Sequence, residues 1–202
     1  MWQSVKVAPW IGEKYATPNL FPFRLAILGE SNYTSADNFH SQLVIECVRC
    51  HLGKNDDGNF SRFATKIKRL AFIEAVEANE FWNNVAFYNF VQELVGESAR
   101  QRPTDEMWQE SIPAFYEFLE EVRPQRLWVL GKANWMNLLS HVSHTQVDSH
   151  TILLPVDRGI IASYTNHPSS SFKYSDWRPV VQRLLFNVSG KSPGFAGVAV
   201  KV

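Results

Sequence analysis

The feature that most constrains this chain is an apolar run that stops at a glycine and passes straight into a polar loop. It occurs first at Phe23-Arg24-Leu25-Ala26-Ile27-Leu28-Gly29-Glu30-Ser31-Asn32-Tyr33 and again at Arg126-Leu127-Trp128-Val129-Leu130-Gly131. A run of about four to eight apolar residues without alternation reads as a central strand of a parallel sheet, because helices must cover both of its faces. Two further runs are rich in strand formers, Trp82 to Phe90 and Ile160 to Tyr164. The expectation is a single domain built as a three-layer α/β/α sandwich around a central, mainly parallel four-stranded sheet. Its strands lie near 24–28, 84–89, 126–130 and 159–164, with residues 152–156 as a small antiparallel partner.

Helical patterns fill the intervals. Ser41 to Leu52 reads as a helix stopped by Gly53, and a surface turn follows at 54–59. Phe60 to Phe72 sets Phe60, Phe63, Ile67 and Leu70 at helical spacing, with Arg62, Lys66, Lys68 and Arg69 on the solvated faces. Gly96 to Arg102 reads as a polar segment. Thr104 then caps a helix carrying Trp108, Ile112, Phe115, Leu119 and Val122, which Pro113 should kink or split. Lys132 to Val142 and Asp176 to Phe186 complete the set, the last turning Trp177, Val181, Leu184 and Leu185 inward. Between them lies a His/Ser/Thr-rich loop whose His141, His144 and His150 are not at metal-ligand spacing on one helix. Residues 1–22, broken by Pro9, Gly12, Pro18 and Pro22, form an irregular lead-in that packs on the sheet edge through Trp2, Trp10 and Phe21. The Gly/Ser-rich residues 189–202 read as a mobile tail.

Composition narrows the function classes. Twenty basic and twenty acidic residues leave no net charge, so no whole-molecule field draws the protein to nucleic acid, and any such binding must come from a local patch. With no apolar leader and no stretch near about eighteen apolar residues, the chain reads as soluble and cytoplasmic, without a membrane partner. Cys47-Val48-Arg49-Cys50-His51 matches the c-type haem attachment pattern. Such attachment needs an exported chain, and Leu43, Val44, Cys47 and Val48 read as one buried helix face. The thiols are therefore expected to be reduced and helix-packed, with no cofactor and no metal.

Three polar clusters follow strands: Glu30 to Tyr33, Asn89, and Asn166 to Ser170. The carboxyl ends of parallel strands share one edge, where open α/β sheets bind ligands, so the clusters can converge. Taken singly, each has an ordinary structural explanation: Asn89 caps a loop, His167 is a turn histidine before proline, and Glu30 is solvated. In this order, with Gly29-Glu30-Ser31-Asn32-Tyr33, Phe87-Tyr88-Asn89, Val129-Leu130-Gly131-Lys132-Ala133 and Asn166-His167-Pro168-Ser169, the chain resembles the uracil-DNA glycosylase superfamily from about Phe23 to Trp177.

That resemblance implies strand order 2-1-3-4 and a nucleic-acid partner, DNA in double or single strands, or a free nucleobase or nucleotide, bound by a monomer. It implies that Asn89 hydrogen-bonds the Watson–Crick edge of a flipped pyrimidine and that His167 donates to the base O2 as negative charge develops there. Tyr33 stands where a bulky ring excludes the thymine methyl. Glu30 matches the carboxylate of members that carry an iron–sulfur cluster, where it would steady an oxocarbenium-like sugar or orient water. Ser169, Ser170 and Ser171 would hold phosphate, and Phe172 would wedge into the base stack. This chain departs from the pattern at Ser31, where many members have Asp or Asn, at Asn32 in place of proline, and in lacking a cysteine quartet. Two other functions compete. One is a serine hydrolase using Ser31 and His167, although Tyr164 stands where such an enzyme tends to place an Asp and the second glycine of a nucleophile elbow is missing. The other is a binding module of the same fold that cleaves nothing.

Overall fold

A computed structural model describes residues 2–53, 58–71, 76–97, 101–156, 159–170 and 172–186. The proposed tail at 189–202 lies outside the described residues. The strands are β1 (Trp10–Ile11), β2 (Leu25–Gly29), β3 (Asn32–Tyr33), β4 (Val85–Asn89), β5 (Leu94–Gly96), β6 (Arg126–Leu130), β7 (Thr145–Asp148), β8 (Thr151–Leu154) and β9 (Ile160–Thr165). The helices are α1 (Leu43–Leu52), α2 (Asn59–Ala71), α3 (Ala78–Asn83), α4 (Asp105–Glu110), α5 (Ile112–Val122), α6 (Lys132–His141) and α7 (Tyr174–Phe186).

The main sheet has seven strands in the order β1-β4-β2-β6-β9-β8-β7, not four. Its centre, β4-β2-β6-β9, is parallel throughout and follows the order 2-1-3-4 of the four apolar runs. The additional strands are antiparallel and sit at the edges. β8 is the antiparallel partner expected at 152–156, whereas β1 and β7 left no trace: Trp10–Ile11 is too short to show a period, and Thr145–Asp148 is a polar, mostly exposed edge strand with no apolar face. The lead-in is thus not wholly irregular. Trp10 pairs with Phe87 and donates its indole N–H to the Trp82 carbonyl at 2.8 Å. The Glu117 carboxylate accepts the amides of Gln3, Ser4 and Val5. A two-stranded parallel pair, β3 with β5, stands beside the main sheet.

Alternation along the central strands feeds two cores. Ala26, Leu28, Ala86, Tyr88, Leu127 and Val129 point to one face, against Trp108, Phe115, Phe118, Trp135 and Leu138 of α4, α5 and α6. Leu25, Ile27, Val85, Phe87, Trp128 and Leu130 point to the other, against side chains of α1, α2, α3 and α7. Side chains of this kind contribute about 1.5–3 kcal/mol each when fully buried, so the parallel centre is the part of the molecule least able to move. Pro113 does split the long helical pattern: α4 ends at Glu110 and α5 opens with Pro113 in its first turn. Thr104 caps α4 by accepting the Met107 amide at 3.3 Å. Trp82 and Asn83, which open the strand-forming run Trp82 to Phe90, instead end α3. The cysteine expectation needs a correction. Val44 and Val48 are buried, but Cys47 is half-buried and Cys50 exposed, because Cys50 stands two residues on from Val48, nearly on the opposite side of the helix.

Candidate functional site

Because the four central strands are parallel, Gly29, Asn89, Gly131 and the loop after Thr165 lie along one edge of the sheet. Gly29 pairs in register with Asn89. A Cβ on Gly29 would stand 2.0 Å from Asn89 Oδ1 and 3.3 Å from the tip of Phe87, so the carboxamide lies over β2 in space that only a glycine leaves open. The other glycine behaves in parallel. Gly131, at φ +99, begins α6, and a Cβ there would lie 3.5 Å from His167 Cβ and 3.8 Å from Cδ2. Asn89 therefore leans from β4 over β2, and His167 leans from the β9 loop over β6. The two strands they lean over are hydrogen-bonded neighbours, about 4.8 Å apart.

Phe63 of α2 ties the two sides together. Its ring stacks on His167 at 5.4 Å and 23°, and packs at 6.0 Å against Phe87, the residue beneath Gly29. The sequence shows Phe63 only as one of several apolar positions on a helix, and its place in the site depends on a contact across about a hundred residues. Lys66, one turn on, donates to the Pro168 carbonyl at 2.8 Å and holds the histidine loop against the helix.

His167 is buried enough, and near enough to the cations Arg102 and Lys66, that its pKa is pushed down to about 4, burial being the largest cause. It is neutral at pH 7. Its Nδ1 accepts the Ser169 amide at 3.3 Å and lies 2.6 Å from Ser169 Oγ. A nitrogen that accepts an N–H carries no proton, which assigns the proton to Nε2 and makes that atom a donor. Ser170 turns back to His167, both its amide and its hydroxyl donating to the His167 carbonyl. Both serines are exposed. In this conformation their polar groups shape the loop. Ser171 lies outside the described residues. Phe172 is half-buried, edge-on to Tyr174 at 5.4 Å, and packs against the second core.

The first loop is a closed network. Asn32 donates from Nδ2 to the Val91 carbonyl at 3.3 Å and accepts one amide hydrogen of Asn89 at 2.9 Å. Asn32 is thus the support that orients Asn89, a role its sequence position does not announce. Among the described residues the second Asn89 amide hydrogen and Oδ1 make no side-chain hydrogen bond. Glu30 is only 8% exposed, and its Oε1 receives the Arg102 guanidinium at 2.9 Å and the Tyr33 hydroxyl at 3.3 Å. Among the described residues Oε2 has no hydrogen-bond partner. Tyr33 Oη also lies 3.2 Å from the Gln101 carbonyl and accepts from Ser31 Oγ at 2.9 Å. Burial, and then the Glu30 charge, push the Tyr33 pKa up against the opposing pull of Ser31, so the phenol stays neutral.

The site therefore assembles Asn89 with Asn32, His167 with Phe63 and Lys66, and Glu30 with Arg102 and Tyr33. Arg102 links the last group to the second, since its charge acts on His167. The hydrogen bond between Ser31 and His167 that a serine hydrolase would need is not formed among the described residues, since Ser31 donates to Tyr33 Oη. Among the described residues no three His, Cys, Asp or Glu side chains are placed to hold a metal ion, and no helix is long and apolar enough to cross a membrane. Compared with protein-family models and with curated proteins, the sequence gives no match.

Proposed function

We propose that this edge of the sheet binds a flipped nucleobase between Asn89 and His167 and hydrolyses its N-glycosidic bond. The observation that carries the proposal is the pairing of an amide held by Asn32 with a histidine that is neutral and protonated on Nε2, the two leaning over adjacent strands. An amide edge supplies a donor and an acceptor side by side, which suits the edge of a pyrimidine. As the bond from the sugar C1′ to the base nitrogen breaks, its electron pair moves onto the base, and charge accumulates on the carbonyl oxygen facing His167. A fixed Nε2–H donor stabilises that oxygen without needing to reorganise, and the Lys66 and Arg102 charges favour the anionic leaving group. On the sugar side, Glu30 Oε2 faces the developing positive charge. It takes the proton of the water whose oxygen bonds C1′. Arg102 and Tyr33, both on Oε1, keep that carboxylate oriented. Tyr33 closes the first loop over the base.

One observation favours a second function, a binding module that cleaves nothing: the Glu30 carboxylate is already engaged, its Oε1 holding both the Arg102 guanidinium and the Tyr33 hydroxyl. The test separates the two. Oligonucleotides carrying a panel of deaminated and oxidised bases, single- and double-stranded, are assayed for abasic sites. The enzyme proposal expects release of at least one base and a loss of about 100-fold in His167→Ala and in Asn89→Ala, since one preorganised donor is worth roughly 3 kcal/mol. Activity that both variants keep refutes it. No release from any base, with binding that Asn89→Ala weakens, replaces it by the binding module.

A further inference from the structure

Next to the cleft, three aromatic rings form a stack that is closed at one end only. Trp135 of α6, 3% exposed, stacks on Tyr164 of β9 at 5.0 Å and 23°. Tyr164 in turn stacks on His150, in the turn between β7 and β8, at 5.5 Å and 21°. Trp135 and His150 make no ring contact with each other, so Tyr164 is the ring that links them. Trp177 of α7 lies 5.6 Å from Tyr164 and 6.0 Å from His150. Similar distances to both members of a stacked pair place a ring beside the pair, not at its end. His150 is half-exposed, and among the described residues no ring covers its outer face. The turn holds it in place: Asp148 accepts its amide at 2.8 Å, and Ser149 Oγ lies 2.8 Å from Nδ1.

Tyr164 is three residues before His167, a span of at most about 10 Å of extended chain. Lys66 and Arg102 both act on His167, and Lys66 donates to the Pro168 carbonyl of the same loop, so a polynucleotide crossing the edge would meet two cations and an unfinished aromatic stack. We propose that the outer face of His150 is a stacking platform for the base next to the one held in the cleft, and that the ligand is single-stranded DNA. This rests on the nucleobase assignment of the cleft and adds the strand preference to it. A base inside a duplex has both faces occupied by its neighbours and offers none to His150, whereas a single strand does. With no net charge on the protein, phosphate attraction is confined to a few side chains, and stacking must carry much of the affinity.

The test is fluorescence anisotropy with a labelled single-stranded oligodeoxyuridylate, its duplex, and four proteins: the wild type, His150→Ala, His150→Phe and Asn89→Ala. The wild type is expected to bind the single strand more tightly than the duplex. His150→Ala should weaken single-strand binding about tenfold, within the range set by loss of one base–aromatic stack, and leave duplex binding unchanged. His150→Phe, which keeps a ring and discards the imidazole nitrogens, should bind as the wild type does. Single-strand binding unaffected by His150→Ala overturns the proposal. So does a His150→Phe variant as weak as His150→Ala, or a wild type that does not bind the single strand. If His150→Ala weakens binding while Asn89→Ala does not, the platform stands and the cleft assignment fails. The converse pattern removes the platform alone.

Discussion

Gly29→Ala tests the geometry of the cleft with a single methyl group. The new Cβ would lie 2.0 Å from Asn89 Oδ1, roughly 1.4 Å inside ordinary van der Waals contact. The obstacle is the end of a side chain, so the backbone need not yield; the Asn89 carboxamide must swing away. In doing so it abandons its 2.9 Å bond to Asn32 Oδ1. Loss of that bond, with a buried acceptor left unpaired, costs about 1–3 kcal/mol, and replacing a strand glycine by alanine returns roughly 0.5–1 kcal/mol. The variant should therefore fold, with a Tm lowered by only a few degrees, since about 1 kcal/mol shifts a chain of this size by ~2–4 °C. Nucleobase binding or release should nevertheless fall about as far as in Asn89→Ala. The double variant Gly29→Ala/Asn89→Ala makes the cause explicit: once the carboxamide is gone, the alanine at position 29 has little to strike, and it should cost almost nothing further in stability or function. Thermal unfolding and a base-binding titration on the four proteins complete the cycle. Unchanged ligand binding in Gly29→Ala, or the same penalty with and without the Asn89 side chain, would refute the reasoning.

Two further outcomes concern His167. Its pKa is depressed from about 6.5 when unfolded to about 4 when folded, so the unfolded chain binds the extra proton first and the resulting stability is present above pH ~6.5 and lost as pH falls toward 4. The loss is at most about 3 kcal/mol, and His167→Gln should flatten that part of a denaturant-unfolding profile; an identical acid limb in the variant contradicts the assignment. Because Arg102 is one of the charges that hold the His167 pKa down, Arg102→Ala should move the imidazole titration upward, toward its unfolded value, in an NMR pH series. Lys66→Ala should move it in the same direction, and no movement in either variant would place the depression in burial alone.

The parallel centre of the sheet was legible because burial on both faces leaves a compositional trace: unbroken apolar residues ending at Gly29 and Gly131. Strands that do not bury two faces leave none, which is why the polar edge strand Thr145–Asp148 and the short pair Asn32–Tyr33 with Leu94–Gly96 were invisible. At the site, Asn89, His167 and Glu30 could be singled out because polar side chains after buried strands need an explanation. Their supports could not. Asn32 reads as a loop substitution, Phe63 as helix core, Lys66 as solvated charge and Arg102 as the end of a polar segment, since each acquires its role only through contacts between distant segments. The positions of both glycines were plain in the sequence, but what they make room for was not.

The central claim is that Asn89 and His167 grip one nucleobase from opposite sides. Titrating free uracil into the 15N-labelled protein while following the Asn89 side-chain amide and the two His167 ring nitrogens tests it most directly. The account predicts that the amide and Nε2 resonances move together along one saturating curve, with the imidazole neutral and its proton on Nε2 throughout. Resonances of both residues that stay fixed while others shift, or a His167 proton found on Nδ1, would contradict it.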